Sequence, residues 1–321
     1  MTDRTSDPIQ PFLDSQGFLV LDGGLATELE ARGRYLDDEL WSAILLIEEP
    51  DLIRQLHLDY LAAGADCVVS ASYQATVTGL MRKAQSETQA TELLRRSVRL
   101  ALEARDSFWS VPANRAGRIR PIVGASVGPY GAYLADGSEY TGDYDVDREK
   151  LYEFHRDRWH LLASCGADIM ACETIPSRLE ALVLASLMAE TPAVPAWISF
   201  SLSDARQLSD GCSLAQTVNE VAAVDQLVAV GVNCVAPGMV AGAIRQVASV
   251  TKKPIMAYPN SGEQWDARVR SWQRIATPVD FAAISHEWYQ LGARCIGGCC
   301  RTGPEHIRRI RATLSNQTPK T

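Results

Sequence analysis

Eight short apolar runs recur along this 321-residue chain, and most are followed by a segment whose apolar residues recur at helical spacing. Runs of this length, closed by glycine, proline or polar turns, predict buried β-strands. The predicted strands cover 18–21, 67–73, 121–127, 168–174, 196–202, 229–234, 254–260 and 295–298. Eight strand–helix units in about 300 residues predict an α/β fold, a (β/α)8 TIM-type barrel.

A doubly wound open sheet is the alternative for the same alternation of strands and helices. It would favour a phosphate-binding loop after the first strand, but Asp22-Gly23-Gly24-Leu25-Ala26 does not match GxGxxG. We therefore expect one barrel domain over residues 1–321, with its core at about 18–314. Two long polar segments, 128–147 and 261–277, are predicted to be strand-to-helix loops, and loops of that length are often functional.

Charge and cysteine content narrow the function classes. The formal net charge is −8 and no Lys/Arg block occurs, so we expect no nucleic-acid partner. Residues 1–16 are polar without a signal-peptide pattern, and no run reaches the apolar length of a membrane span. Eight cysteines in such a chain predict reduced thiols in the cytoplasm and not a disulfide framework.

Adjacent cysteines end the last predicted strand. Cys299 and Cys300 follow a Gly-Gly turn, and neighbouring cysteines can bridge to each other only in a strained ring. A soft metal is a better reason for the pair, and Cys234 at the end of the sixth predicted strand offers a third thiolate. Three thiolates with one open position describe a catalytic Zn²⁺ site. The alternative is two buried small residues with an unrelated third cysteine.

The other polar residues at predicted strand ends are Asp22, Ser72, Glu173 and Asn260. In a barrel these ends surround the active site. Asp22 and Glu173 could grip a cationic ammonium group near the metal or act as a general acid/base pair. The alternatives are a turn or cap residue for Asp22 and a salt bridge for Glu173. The five histidines all fall in helical segments and are not expected to be ligands.

Several motifs resemble those of the homocysteine S-methyltransferase family. Gly231-Val232-Asn233-Cys234 together with Gly297-Gly298-Cys299-Cys300 is similar to the family's zinc signature and is highly specific. Shorter matches are Leu21-Asp22-Gly23-Gly24, Ala26-Thr27-Glu28-Leu29 and Cys172-Glu173-Thr174. The stretches 71–76, 126–140 and 258–263 resemble the stand-alone branch, which takes methyl from S-methylmethionine and often from S-adenosylmethionine. The resemblance runs from about residue 18 to 312.

The resemblance implies an enzyme that methylates L-homocysteine on sulfur and gives methionine. Cys234, Cys299 and Cys300 would hold Zn²⁺ and so activate the substrate thiol. Three thiolates around the metal leave that sulfur electron-rich, which suits alkyl transfer better than water activation.

The resemblance also implies the substrate-binding residues. Asp22 and Glu173 would hold the ammonium group of homocysteine, with Ser72 and backbone amides near Gly23 on its carboxylate. A sulfonium donor could be held by aromatic faces. The candidates are Tyr130, Tyr133, Tyr140, Trp265 and Trp272.

Two rival functions come from different classes. A betaine-dependent homocysteine methyltransferase would use the same thiol chemistry with another donor. A non-catalytic zinc or thiol redox sensor needs no amino-acid pocket, so it leaves Asp22, Ser72 and Glu173 unexplained.

Overall fold

The structure is a computed structural model that describes residues 7–34, 45–266, 271–273 and 279–316. Its strands run in chain order as β1 (Leu19–Val20), β2 (Cys67–Val69), β3 (Ile122–Val127), β4 (Ile169–Ile175), β5 (Ala196–Phe200), β6 (Leu202–Asp204), β7 (Gln207–Leu208), β8 (Leu227–Asn233), β9 (Ile255–Tyr258), β10 (Gln264–Asp266), β11 (Ser271–Gln273) and β12 (Ala293–Ile296).

Eight of these strands form one parallel sheet in the order β1-β12-β9-β8-β5-β4-β3-β2. A parallel bridge from Leu21 to Cys67 joins the first strand of that order to the last, which closes the sheet into a barrel. The predicted (β/α)8 barrel is therefore confirmed. The four remaining strands form two antiparallel hairpins, β6–β7 and β10–β11, within strand-to-helix connections.

The helices are α1 (Gln10–Gln16), α2 (Leu25–Ala31), α3 (Leu45–Glu48), α4 (Pro50–Ala63), α5 (Val77–Leu80), α6 (Glu87–Ser110), α7 (Tyr130–Leu134), α8 (Arg148–Ala163), α9 (Arg178–Glu190), α10 (Leu214–Val221), α11 (Pro237–Ala248), α12 (Phe281–Gln290) and α13 (Pro304–Ser315). Several begin where the sequence supplies a cap. Ser86, Asp147 and Ser177 each accept a hydrogen bond from a backbone N–H of the first turn of α6, α8 and α9, respectively. No helix among the described residues is long and apolar enough to span a membrane.

Side chains alternate between two buried layers along the strands. In β4, Ile169 and Ala171 belong to the cluster inside the barrel, whereas Met170 and Cys172 pack outward against the helices. This period of two is the expected geometry of a closed parallel barrel. Trp197 fills the interior so closely that a Cβ added at Gly124 would lie 3.0 Å from its ring.

The N-terminal helix α1 was not predicted. Its preceding residue Ile9 and its Phe12 are buried in the same interior cluster as Leu19 and Cys295. The helix ends at Gly17, which adopts a left-handed conformation. Since β1 begins two residues later, α1 covers the end of the barrel where the strands start and leaves the opposite end for the site.

Candidate metal and substrate site

Three cysteines converge at the C-terminal ends of the strands. Cys234 directly follows β8, and Cys299 and Cys300 follow β12, with β9 paired between these two strands. The three Sγ atoms lie within 4.8 Å of one another, and those of Cys234 and Cys300 are 3.5 Å apart. Cys234 and Cys300, which are 66 positions apart in the sequence, therefore lie side by side in the structure.

The backbone holds the cysteines in place through the segment after β9. The N–H of Cys234 donates to the Tyr258 carbonyl at 3.2 Å, and the N–H of Cys299 donates to Pro259 O at 2.8 Å. Cys234 has φ of 50°, a left-handed conformation that costs a non-glycine residue free energy and often marks functional sites. The chain therefore fixes this thiol by tertiary contacts and not by local preference.

The thiol spacing fits a tetrahedral soft metal. A Zn–S bond of about 2.3 Å at the tetrahedral angle places two sulfurs about 3.8 Å apart, close to the 3.5 Å between the Sγ atoms of Cys234 and Cys300. A disulfide needs about 2.05 Å, so the Cys234–Cys300 pair at 3.5 Å is not bonded. The cluster can hold a metal ion through three ligands with one position left for another.

The three thiols share their protons unequally. Hydrogen bonds from Cys299 and Cys300 lower the pKa of Cys234 well below its ordinary value, and the Tyr140 hydroxyl adds to that effect. The same contacts with Cys234 raise the pKa of Cys299 and Cys300. One thiolate therefore forms readily among the three, while the other two need a cation to lose their protons.

A buried polar network lies under the cysteines. The Asn233 side-chain Nδ2 is 3.9 Å from Cys299 Sγ and donates to Thr174 Oγ1 at 2.8 Å. Its Oδ1 accepts from the Thr174 N–H and from Ser199 Oγ, at 2.7 and 2.8 Å. Ser199 contacts the hydroxyl of Tyr258, which also accepts from Trp197 Nε1 at 3.1 Å. This network fixes Asn233 and thereby the direction from which Cys299 receives a hydrogen-bond donor.

Two carboxyl groups face the same cavity. Asp22 is 7% exposed, and its Oδ2 accepts from the Val69 N–H at 2.8 Å. Burial raises its pKa well above the ordinary range, and the charge of Glu173 adds to the rise. Burial likewise raises the pKa of Glu173 to about 7, opposed by a hydrogen bond from Ser126. No Lys or Arg in the described part of the chain pairs with either, so both lack a counter-charge.

One cavity brings most of the predicted residues together. Its described lining is Asp22, Gly23, Gly24, Leu25, Ala26, Thr27, Val69, Ser70, Ala71, Tyr73, Tyr140, Glu173, Thr174, Asn233, Cys234, Tyr258, Gly298, Cys299 and Cys300. Thiols and carboxylates therefore share one solvent space, as a site for an amino acid bearing a thiol requires.

Ser72 and Asn260 do not line this cavity. Ser72 is fully buried, and its hydroxyl donates to the Ser126 carbonyl at 2.8 Å and contacts Ser70 Oγ at 2.7 Å. Ser70 lines the cavity instead. Asn260 accepts from the Gly262 N–H at 2.9 Å and so caps the turn after β9.

Among the aromatic candidates, Tyr140 lines the cavity, and its hydroxyl is 3.4 Å from Cys234 Sγ. Tyr130 and Tyr133 pack instead against Phe154, with ring centroids at 4.9 and 5.4 Å. The side chains of Trp265 and Trp272 lie outside the described residues.

Sequence reasoning assigned no role to Ser70, Tyr73, Thr174, Asn233 or Tyr258, all of which line the cavity. Asn233 and Thr174 are neighbours in sequence of Cys234 and Glu173, so their place within the two motifs was an available signal. Tyr258 ends a strand and Tyr73 follows one, but aromatic residues there are equally expected from core packing.

Comparison with known proteins shows the family of this chain. The family model described as homocysteine S-methyltransferase matches residues 19–314. A homocysteine S-methyltransferase of Bacillus subtilis, YbgG, is 48% identical over 95% of this chain and 97% of its own length. The homocysteine S-methyltransferase of Escherichia coli is 45% identical over 96% of this chain and 98% of its own length.

Solved structures of two forms of one enzyme have the same fold as this chain. The metallated form of the homocysteine methyltransferase MmuM from Escherichia coli superposes with a TM-score of 0.85 at 44% identity, covering 95% of this chain and 99% of that one. Its oxidised form gives the same TM-score at 43% identity. The barrel, the cavity and the thiol cluster therefore occur in a chain that belongs to the homocysteine S-methyltransferase family.

Proposed function

We propose that this enzyme transfers a methyl group from a sulfonium donor to the sulfur of L-homocysteine, giving methionine. S-methylmethionine is the first donor and S-adenosylmethionine the second. The observation that carries the proposal is the shared cavity, in which Cys234, Cys299 and Cys300 lie beside the carboxyl groups of Asp22 and Glu173, and no Lys or Arg that the structure describes pairs with either group. A thiol ligand set and an ammonium-binding pair are the two features that homocysteine requires.

The resident metal in this proposal is Zn²⁺, held by Cys234, Cys299 and Cys300. Sulfur ligands at this spacing favour zinc over the hard cations that prefer oxygen. When bound, Zn²⁺ lowers the pKa of the homocysteine thiol, so that its sulfur is a thiolate at neutral pH. Thiols of this kind stay reduced in the cytoplasm, which is where we place the enzyme.

The carboxyl groups bind and orient the substrate. Asp22 and Glu173 would accept hydrogen bonds from its ammonium group, which would also supply the positive charge that both sites lack. Hydrogen bonds from Val69 N–H to Asp22 and from Ser126 to Glu173 keep each carboxyl group oriented before the substrate arrives. Gly23 and Ser72 remain proposed for the carboxylate end, with Ser72 acting through Ser70, which it contacts.

The transfer itself moves no proton between protein groups. The homocysteine sulfur forms a new S–CH₃ bond while the S–CH₃ bond of the sulfonium breaks, and the electron pair stays on the leaving thioether. The thiol proton is lost to solvent when homocysteine binds. No histidine is among the residues described along the cavity, which fits a reaction without a general acid.

A sulfonium suits this site because charge cancels as the methyl group moves. Attack of an anionic sulfur on a cationic donor disperses both charges, so a site with little water favours the transition state. Tyr140 offers an aromatic face beside Cys234, and such a face stabilises a cation by about 0.5–2 kcal/mol. A sulfonium cation held by an aromatic ring in this way needs no additional buried anion beside its methyl group.

The test is an initial-rate assay of zinc-loaded protein with homocysteine and matched concentrations of S-methylmethionine, S-adenosylmethionine and betaine. We expect methionine formation fastest with S-methylmethionine and slowest with betaine. The Cys234→Ala variant is the catalytic control, and reactions without homocysteine correct for donor breakdown. Betaine outpacing S-methylmethionine would overturn the donor assignment, and no methyl transfer to homocysteine from any donor would overturn the function.

A further inference from the structure

Three buried oxygen atoms without hydrogen-bond partners lie beside the cavity. They are Gln74 Oε1, Ser138 Oγ and Glu139 Oε2, on residues that are only 7, 7 and 8% exposed. Among the described residues these are the only buried side-chain oxygens without a partner, since the other unpaired buried atoms are nitrogens. Leaving a buried polar group unpaired costs about 1–3 kcal/mol, more for a charged one. Three of them together therefore indicate a ligand.

The three residues come from two loops that meet at α7. Gln74 follows β2, and its Nε2 donates to the Ala132 carbonyl at 3.1 Å. A Cβ added to Gly131 would lie 2.8 Å from Ser138 Oγ and 2.4 Å from Glu139 N. Both loops therefore contact the same turn of α7, which places Gln74, Ser138 and Glu139 in one corner of the molecule.

This corner adjoins the proposed methyl-transfer site. Tyr73 and Tyr140, the chain neighbours of Gln74 and Glu139, both line the cavity. The charge of Glu139 acts on the Tyr73 hydroxyl, and the charge of Cys234 acts on Glu139. The Ser201 hydroxyl donates to the Glu139 carbonyl at 3.0 Å and fixes the backbone there. Glu139 is thus held close to the thiols without being bound to them.

The chemistry of the corner selects one kind of ligand. A carboxylate, an amide oxygen and a hydroxyl can together accept three hydrogen bonds, which matches the three N–H donors of a primary ammonium group. No Lys, Arg or His in the described part of the chain forms an ion pair with Glu139, so the positive charge must come from outside. Asp22 and Glu173 supply a separate pair of acceptors in the cavity, for the ammonium group of homocysteine.

We propose that Glu139, assisted by Gln74 and Ser138, binds the α-ammonium group of the amino-acid methyl donor. The inference rests on the proposed function and extends it, because it makes the enzyme specific for sulfonium donors that carry an amino group. Homocysteine would then bind in the cavity and the ammonium group of the donor in the corner that adjoins it, so that the two ammonium groups occupy separate sites.

The experiment compares two sulfonium donors in the wild type and in Glu139→Gln. S-methylmethionine carries the ammonium group, and dimethylsulfoniopropionate lacks it. Each is measured as a substrate, and dimethylsulfoniopropionate also as a competitive inhibitor, so that binding is read even if it transfers methyl slowly. We expect kcat/KM for S-methylmethionine to fall about 10- to 100-fold, the equivalent of one charge-assisted hydrogen bond. Binding of dimethylsulfoniopropionate and the KM of homocysteine should change less than about twofold, since neither contacts Glu139 through an ammonium group.

Glu153→Gln is the matched control, because it removes an exposed carboxylate of α8 and should leave all constants unchanged. Ser138→Ala tests the same corner without altering charge. It should give a smaller loss of kcat/KM with the same selectivity for S-methylmethionine, and it keeps the inference testable if Glu139→Gln folds poorly. Equal losses for both donors, or no loss for S-methylmethionine, would overturn the inference. A wild type without methyl transfer to homocysteine would instead overturn the proposed function, so the two failures are distinguishable.

Discussion

The buried carboxyl group of Glu139 should make the stability of the protein depend on pH in a defined way. Burial raises its pKa from the ordinary 4.5 to about 7. The folded state therefore binds the proton more tightly than the unfolded chain between these two values. Stability from this group is complete below about pH 4.5 and is lost as the pH rises through about 7.

The magnitude follows from the shift. A difference of about 2.5 pKa units at about 1.4 kcal/mol per unit gives a destabilisation of about 3 kcal/mol above pH 7. Glu139→Gln removes the charge at every pH and nearly preserves the shape. Relative to the wild type, the variant should therefore gain stability between pH 5 and pH 8 by an amount on the order of 3 kcal/mol.

The assay is urea unfolding of wild type, Glu139→Gln and the control Glu153→Gln at pH 5 and pH 8, at equal metal content and without donor. Subtracting the wild type from the variant removes the shared contributions of Asp22 and Glu173, which also have raised pKa values. An identical pH dependence of wild type and Glu139→Gln would refute the reasoning, since the carboxyl group would then already be paired or hydrated in the folded protein.

Three further outcomes follow from the site. Cys234→Ala should abolish turnover and lower the bound metal measured by elemental analysis, while circular dichroism still shows a folded barrel; full zinc with full activity would contradict the ligand assignment. Asp22→Asn and Glu173→Gln should each raise the KM of homocysteine about 10- to 100-fold at unchanged metal content, by loss of a charge-assisted hydrogen bond; unchanged KM values would exclude the ammonium role. Asn233→Ala should cost about 1–3 kcal/mol in urea unfolding, because the buried N–H of Thr174 loses its acceptor, and an unchanged midpoint would show that water replaces the amide.

The sequence determined the barrel because its signals are local. Strand and helix patterns repeat with periods that a few consecutive residues display, and eight such units have few other ways to bury both faces of a parallel sheet. The thiol cluster followed from the same logic. Once the strands are parallel, the residues after β8 and β12 must leave the sheet on one side, so Cys234 meets Cys299 and Cys300.

The tertiary structure decided which side chains near those ends reach the cavity. The predicted strand over 67–73 ends at Val69, and the Ser72 N–H turns back to the Ser70 carbonyl at 2.8 Å. Because the strand ends three residues before Ser72, Ser70 lines the cavity and Ser72 packs behind it. Helix α1 was likewise not predicted from the sequence. Its few apolar residues are recognisable as part of the core only because they pack against the end of the barrel.

The unpaired buried oxygen atoms of Gln74, Ser138 and Glu139 are the clearest feature that only the tertiary structure determines. In the sequence they are ordinary polar residues, and Gln74 lies more than 60 positions before the adjacent Ser138 and Glu139. They become a candidate binding site only because two loops meet at α7 and bury oxygen atoms that have no hydrogen-bond partner among the described residues. Burial and the pairing of polar groups depend on the position of every neighbouring segment, and no local pattern of residues records that information.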